Sequence, residues 1–436
     1  MISDMESSAC PRPKAGVITL GCKVNQYESA RIADELWRLG FDVQQGDDCV
    51  DLCVINTCSV THVAAAKSRQ AIRRMRRRNP RVLVVVTGCG TSADQSAIRG
   101  LSDIDLVVAN DSKHLLASRI VEHIRDTRRL PLPNPRGDTA HFGTGERTRA
   151  LLKVQDGCRN FCSYCIIPYA RGAPRSRPFS EVIDEARRAV DSGHVEVVVT
   201  GICVGAYSDS GRSLADLLLA LARVPGIRRV RLSSVEPTDV TDDLVSAIRD
   251  EPRICRHIHL PLQSADDRIL KAMNRPYTMA EYLRTVDKLR SVDQEITITT
   301  DAIVGFPGET DEQFRRTVEA ARSIGFAKVH VFPYSPREGT PAAAMPAQVP
   351  HSVKEMRAQE LIRVSRTLEQ DFAKRYVGRV VEVLVEGSSP RPGWAEGLTD
   401  TYLRVAFPCE ADLQGKLVKV RVVSTSDGRA EGELLL

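Results

Sequence analysis

Cys158, Cys162 and Cys165 stand in the string GCRNFCSYC, residues 157–165, separated by three residues and then two. Three thiolates on one short loop can hold three irons of a cubane iron–sulfur cluster, because thiolates are the usual ligands of such clusters. A structural zinc takes four protein ligands, and no close fourth Cys or His follows here. A cluster held by three cysteines keeps one iron open to a small molecule. Phe161 and Tyr164 lie between the ligands and are expected to shield the cluster from water, which is one lever on its potential. A zinc site completed by a remote residue stays open as the alternative.

A second trio is spread along the first ninety residues. Cys22 lies in TLGCKVNQYES, Cys58 in NTCSVTH and Cys89 in TGCGTS. Each follows an apolar run that reads as a strand: GVITL (16–20), LCVIN (52–56) and VLVVVTG (82–88). Helices are expected near Gln26, from Val63 and near Ala93, and a further unit is IDLVV (104–108) with a helix near Ser112. This β–α alternation predicts a small parallel sheet covered by helices. The ends of parallel strands share one edge, so the three thiols would converge there, beside helix N-termini that favour thiolates. The other reading is three small residues that suit tight strand–helix turns.

Residues 129–148 are rich in Pro, Gly, Arg and Thr and read as a linker. A longer β–α series follows over 149–375. Its expected strands are ALLKVQ (150–155), VEVVVTG (195–201), RRVRLSS (228–234), HIHLPLQ (257–263), ITITTDAIVGF (296–306) and AKVHVFPY (327–334). Six such units predict a partial, TIM-like (β/α)6 barrel with its site at the C-terminal strand ends, where the cysteine loop falls. A long helix over about 352–375 leads to residues 376–436, whose short alternating runs predict a small antiparallel, OB-like β-barrel. The fold class is thus α/β, with an N-terminal domain over 14–128, a central barrel and a C-terminal barrel.

The chain has 436 residues, 42% of them hydrophobic and 27% charged, an ordinary globular balance. Its 12 cysteines in this length do not resemble a secreted disulfide scaffold. The polar opening MISDMESSACPRPKAG is not a signal peptide, and no run of about 18 apolar residues exists for a membrane span. The cytoplasm is the expected compartment. A net charge of +5 permits an RNA partner without demanding one. The run 67–81, KSRQAIRRMRRRNPR, is strongly basic, but its charges do not keep to one helical face, so a solvated helix and an RNA contact are both open. His257 and His259 are expected to line the barrel rather than bind metal. Cys53 and Cys203 read as packing, and Cys10, Cys49, Cys255 and Cys409 show no ligand pattern.

The chain resembles the radical S-adenosylmethionine methylthiotransferases, and within them the branch that modifies threonylcarbamoyladenosine in transfer RNA; the branches acting on isopentenyladenosine or on an aspartate of a ribosomal protein, and a cluster-bearing RNA-binding or redox-sensing protein without turnover, are the alternatives. The resemblance is carried by TLGCKVNQYES, NTCSVTH with KSRQAIRR, GCRNFCSYCIIPYARG, RLSSVEPTD, HLPLQS, MNRPYT, IVGFPGET and FPYSPREGTPA. It implies two [4Fe–4S] clusters, a C-terminal TRAM module and a monomer that works on tRNA with an unidentified electron donor and no membrane. The cluster on Cys158, Cys162 and Cys165 would bind S-adenosylmethionine and generate a 5′-deoxyadenosyl radical. The cluster on Cys22, Cys58 and Cys89 would carry the sulfur. By the same analogy Tyr164, Thr200, Gly201, Glu236, Gln263, Gly305, Gly308 and Glu309 contact S-adenosylmethionine. Arg171 and Arg175 either balance the charge there or are solvated. Two departures from the family pattern stand out: Gly90–Thr91–Ser92 after the third N-terminal cysteine, and Ala65 where an acid is common. They leave the surroundings of the sulfur-carrying cluster open.

Overall fold

The structure, a computed structural model, describes residues 12–44, 49–59, 62–93, 98, 100–136, 148–389 and 391–435. It divides into two compact units. One reaches to Gly145 and includes Tyr169–Arg171; the other comprises Glu146–Pro168 and Gly172–Leu436. Residues 137–147 of the expected linker, and Cys10, lie outside the described residues.

The first unit is a parallel sheet of β1 (Lys14–Thr19), β2 (Asp42–Gln44), β3 (Leu52–Thr57), β4 (Leu83–Gly88) and β5 (Leu106–Val107), in the order β2-β1-β3-β4-β5. Strands β3 and β4 are buried on both faces, as their unbroken apolar runs require. Leu52 and Val54 face a core with Leu36 of helix α1 (Lys23–Arg38) and Ile120 of α3 (Leu116–Thr127). Cys53 and Ile55 face the other core, with Ile72 and Met75 of α2 (His62–Arg78). Cys53 is thus a packing thiol, and burial pushes it up to about 12. The three-residue edge strand β2 has no apolar run and left no sequence signal. Of the helix expected near Ala93, Gly90–Ala93 and Ile98 are helical among the described residues.

In the second unit, six parallel strands follow in chain order: β6 (Ala150–Lys153), β7 (Glu196–Thr200), β8 (Arg229–Leu232), β9 (His257–His259), β10 (Thr297–Val304) and β11 (Lys328–Pro333). Isolated bridges Val230–Ile254 and Ser234–His259 join the two halves, and no pairing between β6 and β11 closes the ring among the described residues. The result is the open partial barrel that the six-fold repeat predicts. Strand β9 stops at His259, four residues short of the predicted run, because Pro261 has no N–H for the ladder and Gln263 takes φ +62°. His257 and His259 both hydrogen-bond the Thr299 hydroxyl at 3.0 Å, and His259 meets Asp301 at 3.2 Å, so both line the barrel as expected.

Helix α4 (His351–Lys374) leads to five strands: β12 (Val380–Ser388), β13 (Trp394–Leu398), β14 (Arg404–Pro408), β15 (Leu417–Ser426) and β16 (Arg429–Leu435). They close in the order β12-β13-β14-β16-β15. The expected small antiparallel, OB-like barrel is present, with one pair, β14 and β16, running parallel. An odd ring of strands cannot alternate direction all the way round, so closure forces one such pair. Strand β13, WAEGL, was missed because Gly and Glu are poor strand formers. Val383, Val405, Phe407 and Val420 fill the barrel, with Phe372 from α4.

Two arginines of β8 tie this small barrel to the central one. Arg229 donates to the carbonyls of Leu398 (3.1 Å) and Glu382 (2.7 Å). Arg231 donates to the carbonyls of Asp400 (2.8 Å) and Thr399 (2.9 Å) and to Glu196 at 2.6 Å. His257 stacks on Tyr402 at 4.7 Å. No helix among the described residues is long and apolar enough to cross a membrane.

Candidate functional site

In the first unit the three predicted cysteines do sit at the C-terminal ends of β1, β3 and β4, just beyond the strands. Cys22 is the N-cap of α1 and is exposed; Cys58 and Cys89 are buried. The approach of β1 to β3 depends on Gly21. It takes φ +96°, and a Cβ there would stand 2.5 Å from the Cys58 sulfur. Asn25 staples the same edge, donating to the carbonyls of Leu20 (2.8 Å) and Thr57 (2.9 Å).

A buried ion cluster adjoins Cys89. Arg171, with a fully buried side chain, donates from Nε to the Cys89 sulfur at 3.1 Å, from Nη1 to Glu28 at 2.9 Å and from Nη2 to Asn25 at 2.9 Å. Lys113 donates to the other Glu28 oxygen at 2.5 Å. Two cations against one carboxylate leave this corner electropositive, which suits thiolates and an anionic group. Burial pushes the Cys89 thiol up, while Arg171 and Lys113 pull against it and Cys22 adds to the rise. Arg171 and Arg175 therefore part company: the first is buried in this cluster, the second is exposed.

The 158–165 loop lies at the C-terminal end of the central barrel, after β6. The Asn160 N–H points to the Cys158 sulfur at 3.4 Å, and Cys165 N–H donates to the Cys162 carbonyl at 2.9 Å. The segment 273–277 braces the loop. Asn274, at φ +56°, donates from its amide to the carbonyls of Asn160 (3.2 Å) and Phe161 (2.9 Å). Arg275 is buried and donates to the Cys162 sulfur at 3.2 Å, to Tyr277 at 3.2 Å and to Glu236. Cys203 donates its S–H toward Asp239 at 3.8 Å. The Cys203 thiol beside Cys158, opposed by burial and helped by the Asn160 N–H, brings the Cys158 thiol down to about 7. Burial holds Cys162 up against Arg275, and pushes Cys165 up to about 12. Among the described residues, no three His, Cys, Asp or Glu side chains stand as a ready site for a single metal ion.

Sequence reasoning missed Arg275, Gln155 and the contact of Cys203. Gln155 accepts from the Cys203 N–H at 2.7 Å and donates to the Gly157 carbonyl at 2.7 Å, fixing both ends of the pocket. The one available signal was Arg275 two residues before Tyr277 in MNRPYT. Phe161 is 48% exposed at φ +45°, so it does not shield the loop as expected. Tyr164 is half-buried and packs on Ile269, Met273 and Phe306.

The remaining expected residues lie at strand ends on this rim. Thr200 ends β7 and is buried, with Gly201 next; Glu236 follows β8 and is held by Arg275. Gln263 is buried and bridges to β10 through Asp301 and Ile303. Gly305 (φ +70°) and Gly308 (φ +81°) shape the turn after β10. The Glu309 carboxylate is occupied by the Gly305 N–H at 2.6 Å and by Arg357 at 2.8 Å, so it secures that turn.

Residues 14–109 match the uncharacterized protein family UPF0004, residues 152–321 the Radical SAM superfamily and residues 374–435 the TRAM domain. The chain is 37% identical to the threonylcarbamoyladenosine tRNA methylthiotransferase MtaB of Bacillus subtilis, over 96% of this chain and 95% of that protein. It is 36% identical to a tRNA-2-methylthio-N(6)-dimethylallyladenosine synthase of Cereibacter sphaeroides, over 97% and 98%. The fold is similar to that of TsrM, a radical S-adenosylmethionine methyltransferase of Kitasatospora setae, with a TM-score of 0.57, 16% identity, and 76% and 75% coverage. With the Radical SAM match on the central barrel and full-length similarity to these enzymes, the chain belongs to the radical S-adenosylmethionine methylthiotransferase family, which uses S-adenosylmethionine and a [4Fe–4S] cluster.

Proposed function

We propose that this protein methylthiolates C2 of N6-threonylcarbamoyladenosine beside the anticodon of tRNA. The observation that carries the reading is the pair of cysteine trios, one on each unit, joined to full-length similarity with enzymes named for this substrate. A [4Fe–4S] cluster with S-adenosylmethionine supplies a carbon radical able to take hydrogen from an unactivated adenine carbon, which acid–base groups cannot do. Cys158, Cys162 and Cys165 would hold that cluster, and the donor set fits: three thiols on one braced loop, with Arg275 donating to the Cys162 sulfur. Hydrogen bonds to cluster sulfurs are a recognised control of potential.

Cys22, Cys58 and Cys89 would hold a second cluster that delivers the sulfur. The Arg171–Glu28–Lys113 group supports this, since it sets excess positive charge against Cys89. Thr200, Gly201, Gln263, Gly305 and Gly308 would contact S-adenosylmethionine through the rim, with Tyr164 against the adenine. Glu236 and Glu309 would shape that pocket from their arginine pairs. The enzyme needs an electron donor and a reducing compartment such as the cytoplasm, where its thiols stay free.

Mass spectrometry of tRNA nucleosides from a strain lacking this chain tests the proposal. Loss of 2-methylthio-N6-threonylcarbamoyladenosine, restored by the intact gene, is the expected result. Unchanged levels with loss of the methylthiolated dimethylallyl nucleoside would move the substrate to the other relatives' reaction.

A further inference from the structure

The basic run that the sequence left open between a solvated helix and an RNA contact takes a definite form. Between Asp51 and Asp94 there is no acidic residue, and there are eight Lys or Arg. Helix α2 buries Ala65, Ser68, Ile72 and Met75, and Ile72 and Met75 belong to the unit's own core. Lys67, Arg73, Arg74, Arg77 and Arg78 are all exposed. At 100° per residue they occupy one arc about 140° wide. Five of the seven charges on the helix therefore share a face, contrary to the reading from sequence. Arg69 and Arg76 lie off it, both partly buried, and the cause is plain for Arg76. It turns inward to Asp105 at 2.5 Å and to the carbonyls of Pro80 (3.0 Å) and Val82 (2.9 Å).

The helix dipole accounts for cations in a last turn, and hence for Arg77 and Arg78. It does not account for Lys67, Arg73 and Arg74, one to three turns earlier. A membrane surface is a poor occupant, because insertion needs an apolar face and that face is already buried. Helix α2 begins four residues after Cys58, and Lys67 to Arg78 spans roughly 16 Å along its axis. The stripe thus starts near the cysteine edge of the first unit and runs away from it. That is the geometry for following a strand outward from a nucleotide held near the cysteines.

From this geometry we infer that the exposed face of α2 is a docking track for the phosphate backbone of the RNA substrate. The inference rests on the RNA-modifying function proposed above. Contacts of this kind position a nucleic acid without reading its sequence, and their strength falls steeply with salt.

The test uses the full chain with Arg73→Gln, Arg74→Gln, Arg77→Gln and Arg78→Gln combined. The probe is a fluorescein-labelled tRNA transcript followed by anisotropy from 50 to 200 mM NaCl. Expected is at least a tenfold loss of affinity at 50 mM, with the slope of log K against log salt shallower by about 2–4. An unrelated RNA hairpin should lose as much. The matching four-lysine variant should keep the wild-type slope, which separates charge from folding. An unchanged slope overturns the inference, as does loss of polyglutamate binding with RNA binding intact, which would assign the face to an acidic protein. If the variant loses the slope while nucleosides from the deletion strain are unaltered, the track stands and the proposed substrate falls. If the modification is confirmed but the slope is unchanged, the track falls alone.

Discussion

Replacing Arg231 with leucine should destabilise the second unit by about 4 kcal/mol. The side chain is 1% exposed and makes charge-assisted bonds to Glu196 and to the carbonyls of Thr399 and Asp400. Leucine strands the fully buried Glu196 carboxylate, whose other cation, Arg229, stands 3.8 Å away. Breaking a buried pair costs about 3–5 kcal/mol, and an orphaned carbonyl about 1–3; the Arg229 contact keeps the sum toward the low end. Replacing Glu196 by leucine as well removes the stranded charge and should recover about 2 kcal/mol. The assay is urea unfolding read by tryptophan fluorescence. The chain has two tryptophans, so a Trp37→Phe background leaves Trp394, in the C-terminal barrel, as the reporter. With a slope of about 3 kcal/mol per molar urea, the single variant should lose more than 1 M in midpoint. A single variant within about 1 kcal/mol of its parent, or a double variant no better than the single, would refute the reasoning.

Asp105 is pushed up by burial but held below the usual carboxylate range overall by the Val84 N–H, Arg76 and Arg129. Asp105→Asn should therefore cost about 2 kcal/mol at pH 7. Because a depressed carboxyl stabilises only while ionised in the folded chain, the gap from wild type should shrink as pH falls below about 4; a constant gap would contradict this. Anaerobic loading should give two cubanes by iron and sulfide assay. Cys162→Ala should lose 5′-deoxyadenosine formation, whereas Cys58→Ala should keep it and lose only the methylthiolated product. Gly21→Ala, strained at φ +96° and thrust against Cys58, should load about one cubane and lose roughly 1–2 kcal/mol; full loading would show that the β1–β3 edge tolerates a methyl group.

What the sequence could disclose followed from how local each signal is. Cys158, Cys162 and Cys165 are neighbours in the chain, so spacing alone betrayed them. The shared edge of Cys22, Cys58 and Cys89 was legible because each follows a strand of one parallel sheet, and parallel strands end on one edge. The contacts of Arg171 with Cys89 and of Arg275 with Cys162 join residues 82 and 113 positions apart, and no periodicity announces such meetings. The α2 stripe was hidden by Arg69 and Arg76, which lie off it, and the inward turn of Arg76 depends on Asp105 far along the chain. The parallel β14–β16 pair came from the demands of ring closure, while strand β13 was concealed by the Gly and Glu within its ladder.

The two trios differ in when they can come into being. The 158–165 loop carries its thiols within eight residues, so their proximity does not wait for the sheet of the central barrel to form. The other three thiols meet only once β1, β3 and β4 have paired. An N-terminal domain folds first as the polypeptide leaves the ribosome, and the complete edge is then presented to whatever delivers iron and sulfide. If that edge holds the proposed second cluster, its loading would be a check on correct folding, and a chain with a slipped strand should load about one cubane instead of two.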